Sequence, residues 1–201
     1  LLIGPRYALL PPEFARLREE SLRRRQAPQL ERLLVSMGGV DKDNVTGRVL
    51  DALCDIPLPN DLEIDVVMGG NAPWLRHVQD QGLRMPRPTR VLVDIPDMAR
   101  RMVEADLAIG AAGSTSWERC CLGLPTLMVV LAENQNPIAA ALHYTGAAQM
   151  IGNPDDLDRL SERWTSMINS VVLVEMAFMA SRLTEGNGTR LVYERMEGAR
   201  V

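Results

Sequence analysis

Between positions 110 and 125 the chain reads Gly110-Ala-Ala-Gly-Ser-Thr-Ser-Trp-Glu-Arg-Cys-Cys-Leu-Gly-Leu-Pro125. An apolar run gives way to small residues, a helical pattern opens, and a carboxylate stands three residues past Thr115. These residue types suit an oxyanion and a sugar held side by side. Backbone N–H groups at a helix start point at anions, and glycine or alanine ahead of them lets a ligand approach the main chain. In this reading the N–H groups and hydroxyls of Ser114 and Thr115 take the phosphate oxygens of a nucleotide. Glu118, one turn further on, accepts hydrogen bonds from ribose hydroxyls. A second reading needs no ligand: Thr115-x-x-Glu118 is a capping box that satisfies two orphan N–H groups. Spacing alone leaves both open.

Other candidates fall at comparable places. Gly38-Gly39 closes the apolar run Leu33–Met37, and Gly69-Gly70 closes Glu63–Met68. Gly38-Gly39 serves as a tight strand-to-helix turn or as a close approach to a diphosphate or sugar. The polar cluster Ala132-Glu-Asn-Gln-Asn136 follows another apolar run, as a functional loop or as a turn before Pro137. Gly110-x-x-Gly113 lacks the dinucleotide fingerprint, and no Gly-Lys-Ser/Thr is present, so NAD binding and a Walker-type NTPase are disfavoured. His77 and His143 are expected on helices as surface or packing residues. No Ser-His-Asp order, metal-ligand cluster or paired catalytic carboxylates stand out, so no residue is assigned a catalytic role and no metal is expected.

Positioning these residues requires alternating elements. Strands are expected near Leu33–Met37, Glu63–Met68, Arg90–Val93, Asp106–Ile109, Thr126–Leu131 and Ala148–Ile151. Helices are expected from Asp41 or Asp43 (as cap) through Cys54, then Pro73–Gln81, Pro96–Glu104, Thr115–Leu122 and Pro137–Tyr144. The chain from Pro154 reads as helical, with a break at Gly186-Asn-Gly188 before a terminal helix. Continuous apolar strands without alternation belong to sheets covered on both faces. The fold class is therefore α/β, a doubly wound, Rossmann-like parallel sheet of about six strands with ligands bound outside the carboxyl ends. Three glycine-bearing turns then share one rim.

Composition bounds the partners. The 201 residues carry a net charge of −4, with 46% hydrophobic and 24% charged residues, the profile of one globular domain. That charge disfavours general affinity for nucleic acid or an anionic membrane. Arg23-Arg24-Arg25 beside Glu19 and Glu20 reads as a solvated face or linker. Cys54, Cys120 and Cys121 fit no disulfide framework; buried reduced thiols and a cytoplasmic location are expected. The opening Leu1-Leu-Ile-Gly-Pro5 reads as a sequence continued from a longer one.

The segment Ala108–Gln135 closely resembles the UDP-sugar hydrolases of pseudaminic acid biosynthesis, which release UDP from UDP-2,4-diacetamido-2,4,6-trideoxy-β-L-altropyranose. Leu2–Phe14, Val35–Asp41, Val67–Pro73, Asp97-Met98 and Glu185–Arg190 are similar to other parts of that family. The resemblance implies the two-domain GT-B fold, shared with the N-acetylglucosaminyltransferase that makes lipid II. It implies that residues 1–28 are an inter-domain junction and linker helix. Residues 29–201 would form the UDP-binding C-terminal domain, and the N-terminal domain with its catalytic histidine would be absent. Glu118 would bind ribose, and Gly113, Ser114 and Thr115 the diphosphate. Ile95 would meet uracil, with Gly38, Gly39 and Gly70 lining the nucleotide cleft and Asn134 and Gln135 facing the sugar. The implied ligand is UDP or a UDP-sugar, without a metal cofactor, and the chain alone is expected to be inactive. Two other classes stay in view: a GT-B glycosyltransferase using a UDP-sugar donor, and a stand-alone nucleotide-binding or scaffold protein.

Overall fold

The structure is a computed structural model and describes residues 1–198. Six strands form one sheet: β1 (Arg32–Ser36), β2 (Glu63–Met68), β3 (Thr89–Val93), β4 (Leu107–Ala111), β5 (Thr126–Val129) and β6 (Gln149–Gly152). Their order is β3-β2-β1-β4-β5-β6, and every neighbouring pair is parallel. The connecting helices are α2 (Val45–Cys54), α3 (Leu75–Gly82), α4 (Met98–Glu104), α5 (Thr115–Cys121) and α6 (Asn136–Tyr144). Before the sheet comes α1 (Pro12–Arg24); after it come α7 (Leu160–Met167), α8 (Ser170–Ser181) and α9 (Gly188–Gly198). The doubly wound parallel sheet expected from the alternation is the fold that forms.

Burial on both faces accounts for the unbroken apolar strands. Leu33 and Val35 of β1 turn to one face, where α2, α3 and α7 bring Leu50, Leu53, Val78 and Trp164. Leu34 turns to the other, where α1 and α4 bring Phe14, Ala99 and Met102. A third apolar group joins α5 and α6 to Met128 and Val130. Cys120 belongs to that group and Cys121 to the one around Phe14, so the adjacent thiols point to different sides of α5 as expected. Asp65 in β2 is only 1% exposed. Arg90, opposite it on β3, donates from Nε to Oδ1 at 2.8 Å and from Nη2 to Oδ2 at 3.1 Å. That pairing lets a carboxylate occupy an otherwise apolar strand.

The connections decide where a ligand edge lies. From β1 the chain steps outward to β2 and β3, then returns to lay β4 on the other side of β1. Strand order therefore reverses between β1 and β4, with Ser36 opposite Gly110. A crevice opens at such a switch point, outside the carboxyl ends of the strands.

Two expectations are corrected and one open choice is resolved. Arg25 does not lie on a solvated face, whereas Arg24, though paired, stays exposed. Arg25 is 4% exposed and donates to the carbonyls of Met102, at 2.7 Å, and Ala105 at the end of α4. Arg24 reaches Glu104 O at 2.8 Å and Asp106 Oδ1 at 2.5 Å; Arg23 stays outside, on Glu19. Orphan carbonyls at a helix C-terminus attract guanidinium groups, which outweighs the hydration of a charge run. Cys54 is exposed rather than buried, because it ends α2 beyond the packed turn. Of the two proposed caps for α2, Asp41 does the work. Its carboxylate accepts from the N–H groups of Val45 (2.9 Å) and Thr46 (2.8 Å), while Asp43 pairs with Lys42.

The first residues pack onto the body. Phe14 is 2% exposed among the residues around α4, and Ser21 Oγ donates to Leu122 O at 2.6 Å. Thr189 Oγ1 donates to Leu10 O at 3.2 Å, tying the start of α9 to the segment before α1. No single helix among the described residues is long and apolar enough to cross a membrane.

Candidate functional site

The site is built from the end of β4 upward. All five β4 residues are buried, and the ladder ends as Ala112 donates to Val129 O at 3.0 Å. The chain then turns into α5 with no side chain capping it. Ser114 is the N-cap residue but has helical dihedrals, so its hydroxyl does not fold back onto the next N–H groups. The capping box read from Thr115 and Glu118 does not form. Thr115 is already the first helical residue, one place too late to act as the cap. Among the described residues the N–H groups of Gly113, Ser114 and Thr115 donate to no protein acceptor. The next one, of Ser116, goes to Gly113 O at 3.0 Å. Three successive free donors thus stand at the switch point, on small or hydroxylated residues.

Glu118 lies one turn on and is half-buried. Burial pushes its carboxyl pKa up; Arg119 pulls it down, and Glu13 of α1 pushes it further up. Its side chain makes no hydrogen bond among the described residues. Its oxygens are not among the buried polar atoms without a partner, so they stay open to solvent.

Arg119 was not anticipated from sequence. It is 3% exposed, beneath the first turn of α5. Its Nη2 donates to Ala111 O at 2.6 Å and Ser116 Oγ at 3.0 Å, and its Nη1 to Thr115 Oγ1 at 3.4 Å. Gly110 is the strand residue over which the guanidinium lies, and a Cβ there would collide with Nη1. The available signal was a lone cation between Ser116 and two cysteines on the inward face of a short helix.

The other expected residues sit along the same rim. Gly38 has φ +102°, a value that favours glycine, and a Cβ there would meet nothing. Gly39 accepts through its carbonyl from Gly69 N–H at 3.0 Å, and a Cβ on Gly69 would strike that carbonyl. The turns after β1 and β2 are thereby fastened together. Gly70 N–H donates to Asp94 Oδ1 at 2.9 Å, and Asp94 holds φ +47° just before half-buried Ile95. Gly70 and Ile95 therefore form one unit, on the β2–β3 side of the crevice. On the β5 side, Gln135 Oε1 accepts from Leu131 N–H at 2.9 Å. Its Nε2 lies 3.6 Å from the point where a Cβ on Gly113 would stand. Gln135 and Gly113 are brought together, whereas Asn134 is exposed on the 3-10 turn Glu133–Gln135.

A groove of about 740 Å³ lies further along, over the ends of β5 and β6, lined among others by Arg48, Glu133, Asn136 and Arg163. None of Gly113, Ser114, Thr115 or Glu118 lines it. The chemistry is read at the switch point because the free donors and Glu118 stand there. His77 is exposed and meets Trp74 edge-on at 5.8 Å; His143 is exposed and accepts from Met150 N–H at 3.5 Å. Among the described residues no three His, Cys, Asp or Glu side chains gather as metal ligands.

No protein-family model matches the chain. The spore coat polysaccharide biosynthesis protein SpsG of Bacillus subtilis is 31% identical over 149 residues, covering 74% of this chain and 43% of SpsG. MurG of Acinetobacter baumannii superimposes with a TM-score of 0.73 at 27% identity, over 90% of this chain and 53% of MurG. The spinosyn rhamnosyltransferase SpnG, complexed with thymidine diphosphate, superimposes with a TM-score of 0.62 at 18% identity, over 86% of this chain and 47% of SpnG. The chain spans about half the length of these proteins or less. It is similar in sequence to a polysaccharide-biosynthesis protein, and its fold is the Rossmann-like half of the GT-B glycosyltransferase architecture.

Proposed function

We propose that the chain is the nucleotide-sugar-binding part of a GT-B-type enzyme of polysaccharide biosynthesis, and that the enzyme transfers a sugar from a UDP-sugar donor. The observation that carries the reading is the set of three free N–H groups at Gly113–Thr115, placed at the switch point beside the unpartnered Glu118. In this reading the diphosphate oxygens accept from those donors, and Glu118 accepts from the ribose hydroxyls. The Ile95 backbone meets the base, with Gly38, Gly39 and Gly70 shaping the cleft wall. Gln135 and Asn134 face the sugar. When the bond from the anomeric carbon to the diphosphate breaks, negative charge grows on the leaving phosphate. Donors already oriented toward it stabilise that charge without reorganising. Residues 29–201 form this binding domain with 1–28 as its junction, and a second domain supplies the acceptor site. Similarity to SpsG supports a place in polysaccharide biosynthesis, and the fold shared with the spinosyn rhamnosyltransferase SpnG favours sugar transfer.

A second reading keeps the same donor site and replaces the acceptor by water. The resemblance of Ala108–Gln135 to UDP-sugar hydrolases favours it, with the base again outside this chain. The two part on one measurement. UDP release from a UDP-sugar by the longer protein without any acceptor marks a hydrolase; release only with an acceptor marks a transferase. The shared reading is tested by titrating UDP calorimetrically into the wild-type chain and Glu118→Ala. Loss of the ribose contacts is expected to weaken binding about tenfold or more, the effect of one hydrogen bond to a charged group. Equal affinities would remove Glu118 from the site.

A further inference from the structure

Arg119 and Arg25 are both buried guanidinium groups, and they sit at opposite kinds of helix end. Arg25 answers the carbonyls at the C-terminus of α4, where a cation is favoured. Arg119 lies under the first turn of α5, where the helix start already presents positive partial charge. It forms no ion pair among the described residues, and its Nε is buried without a partner. Burial lowers its pKa to about 10, so it stays charged at neutral pH. A buried charge beside a second source of the same sign is unfavourable unless something compensates it. Glu118, the acid next to it in sequence, attracts its charge but offers no hydrogen bond or close ion pair, so the compensation is partial.

The hydrogen bonds give the charge a direction. Ala111 O and the hydroxyl oxygens of Thr115 and Ser116 all accept from the guanidinium. The strand's last carbonyl is thus held inward, away from the crevice. The contact to Thr115, at 3.4 Å, uses its hydroxyl oxygen as acceptor and leaves the hydroxyl hydrogen free to donate. Gly110 provides the space in which the guanidinium lies.

We propose that Arg119 is a positioning residue for an anionic diphosphate. Without touching the ligand, it turns the Gly113–Thr115 turn into a set of donors and supplies the fixed positive charge that the bound anion compensates. This inference rests on the nucleotide reading above. Its signature is selectivity for charge: Arg119 acts on the diphosphate and not on the nucleoside.

The test titrates UDP, uridine and inorganic pyrophosphate into the wild-type 201-residue chain and into Arg119→Met and Arg119→Lys. Arg119→Met is expected to weaken UDP and pyrophosphate about tenfold or more while leaving uridine within about twofold, and Arg119→Lys to recover part of the loss. Equal losses for UDP and uridine, or no loss at all, would overturn the proposal. If Arg119→Met does not fold, the wild-type Arg119 Nε–Hε resonance decides. It is expected to shift with UDP and pyrophosphate and to stay put with uridine; a resonance unmoved by bound UDP overturns the proposal. Pyrophosphate separates the two ideas. Arg119-dependent pyrophosphate binding without UDP binding would sink the nucleotide reading and leave Arg119 standing. Wild-type UDP binding indifferent to Arg119 would do the reverse.

Discussion

Glu118 carries two opposed demands. As a ligand group it must be ionised to accept two hydroxyls, yet burial raises its pKa, so the folded chain resists that ionisation. The sign of the effect on stability follows. Below the ordinary carboxylate range Glu118 is protonated in both folded and unfolded chains and contributes no difference. As pH rises the unfolded chain ionises first, and the folded state loses stability until its own raised pKa is passed. Glu118→Gln is therefore expected to melt above wild type at pH 7, with the gap closing toward about pH 4. Thermal unfolding followed by circular dichroism across that range checks it. A wild-type chain more stable than Glu118→Gln at pH 7 would show that an internal donor, not a ligand, satisfies the carboxylate. Stability given up at one carboxylate is the mark of a residue kept for binding.

At the scale of elements, the rim depends on how one turn is fastened to the next. Gly69 donates to Gly39 O and leaves no room for a Cβ against that carbonyl, so β1 and β2 deliver their turns as one piece. Gly69→Ala must push backbone against backbone, and a cost of about 2 kcal/mol is expected, the range for strain at such a position. Urea unfolding measures the loss, and the UDP titration is expected to weaken with it because Gly39 moves. Gly38→Ala serves as the contrast: its Cβ meets nothing, and only the φ of +102° is strained. A Gly69→Ala chain as stable as wild type would mean the two turns are not coupled. The strands, the helices and the glycine-bearing turns were legible in sequence, because apolar runs ended by glycine reflect local propensity and burial on both sheet faces. The fastening was not, since a hydrogen bond between residues 39 and 69 leaves no local pattern.

On the scale of the whole molecule, residues before β1 belong to the packed body. Phe14 of α1 fills the apolar group around α4, and Arg18 donates to Ser181 O at 2.7 Å, and also to Cys121 O, so α1 holds α5 and α8 in one frame. Phe14→Ala is expected to cost about 3 to 5 kcal/mol, the range for a large aromatic removed from a core. A loss below about 1 kcal/mol in urea unfolding would mean that α1 is a detachable linker. Because α1 also braces α5 from behind, the same variant is expected to loosen the Gly113–Thr115 turn. UDP binding in Phe14→Ala would then fall together with stability.

The amino-acid sequence by itself determined the alternation of strands and helices, their parallel arrangement and the rim on which Gly38, Gly39, Gly113 and Glu118 lie. Period, apolar runs and turn residues are local quantities, and the rules of parallel sheets carry them to the edge where a ligand binds. Only the tertiary structure decided that Thr115 and Glu118 form no capping box. Whether a side chain caps a helix depends on the dihedrals of the residue before it, here set by the way β4 ends against β5. Tertiary structure alone also placed Arg119. Within the sequence it is one more charge on a short helix; in the fold it is a buried cation under the free N–H groups, because the inward face of α5 packs over Gly110.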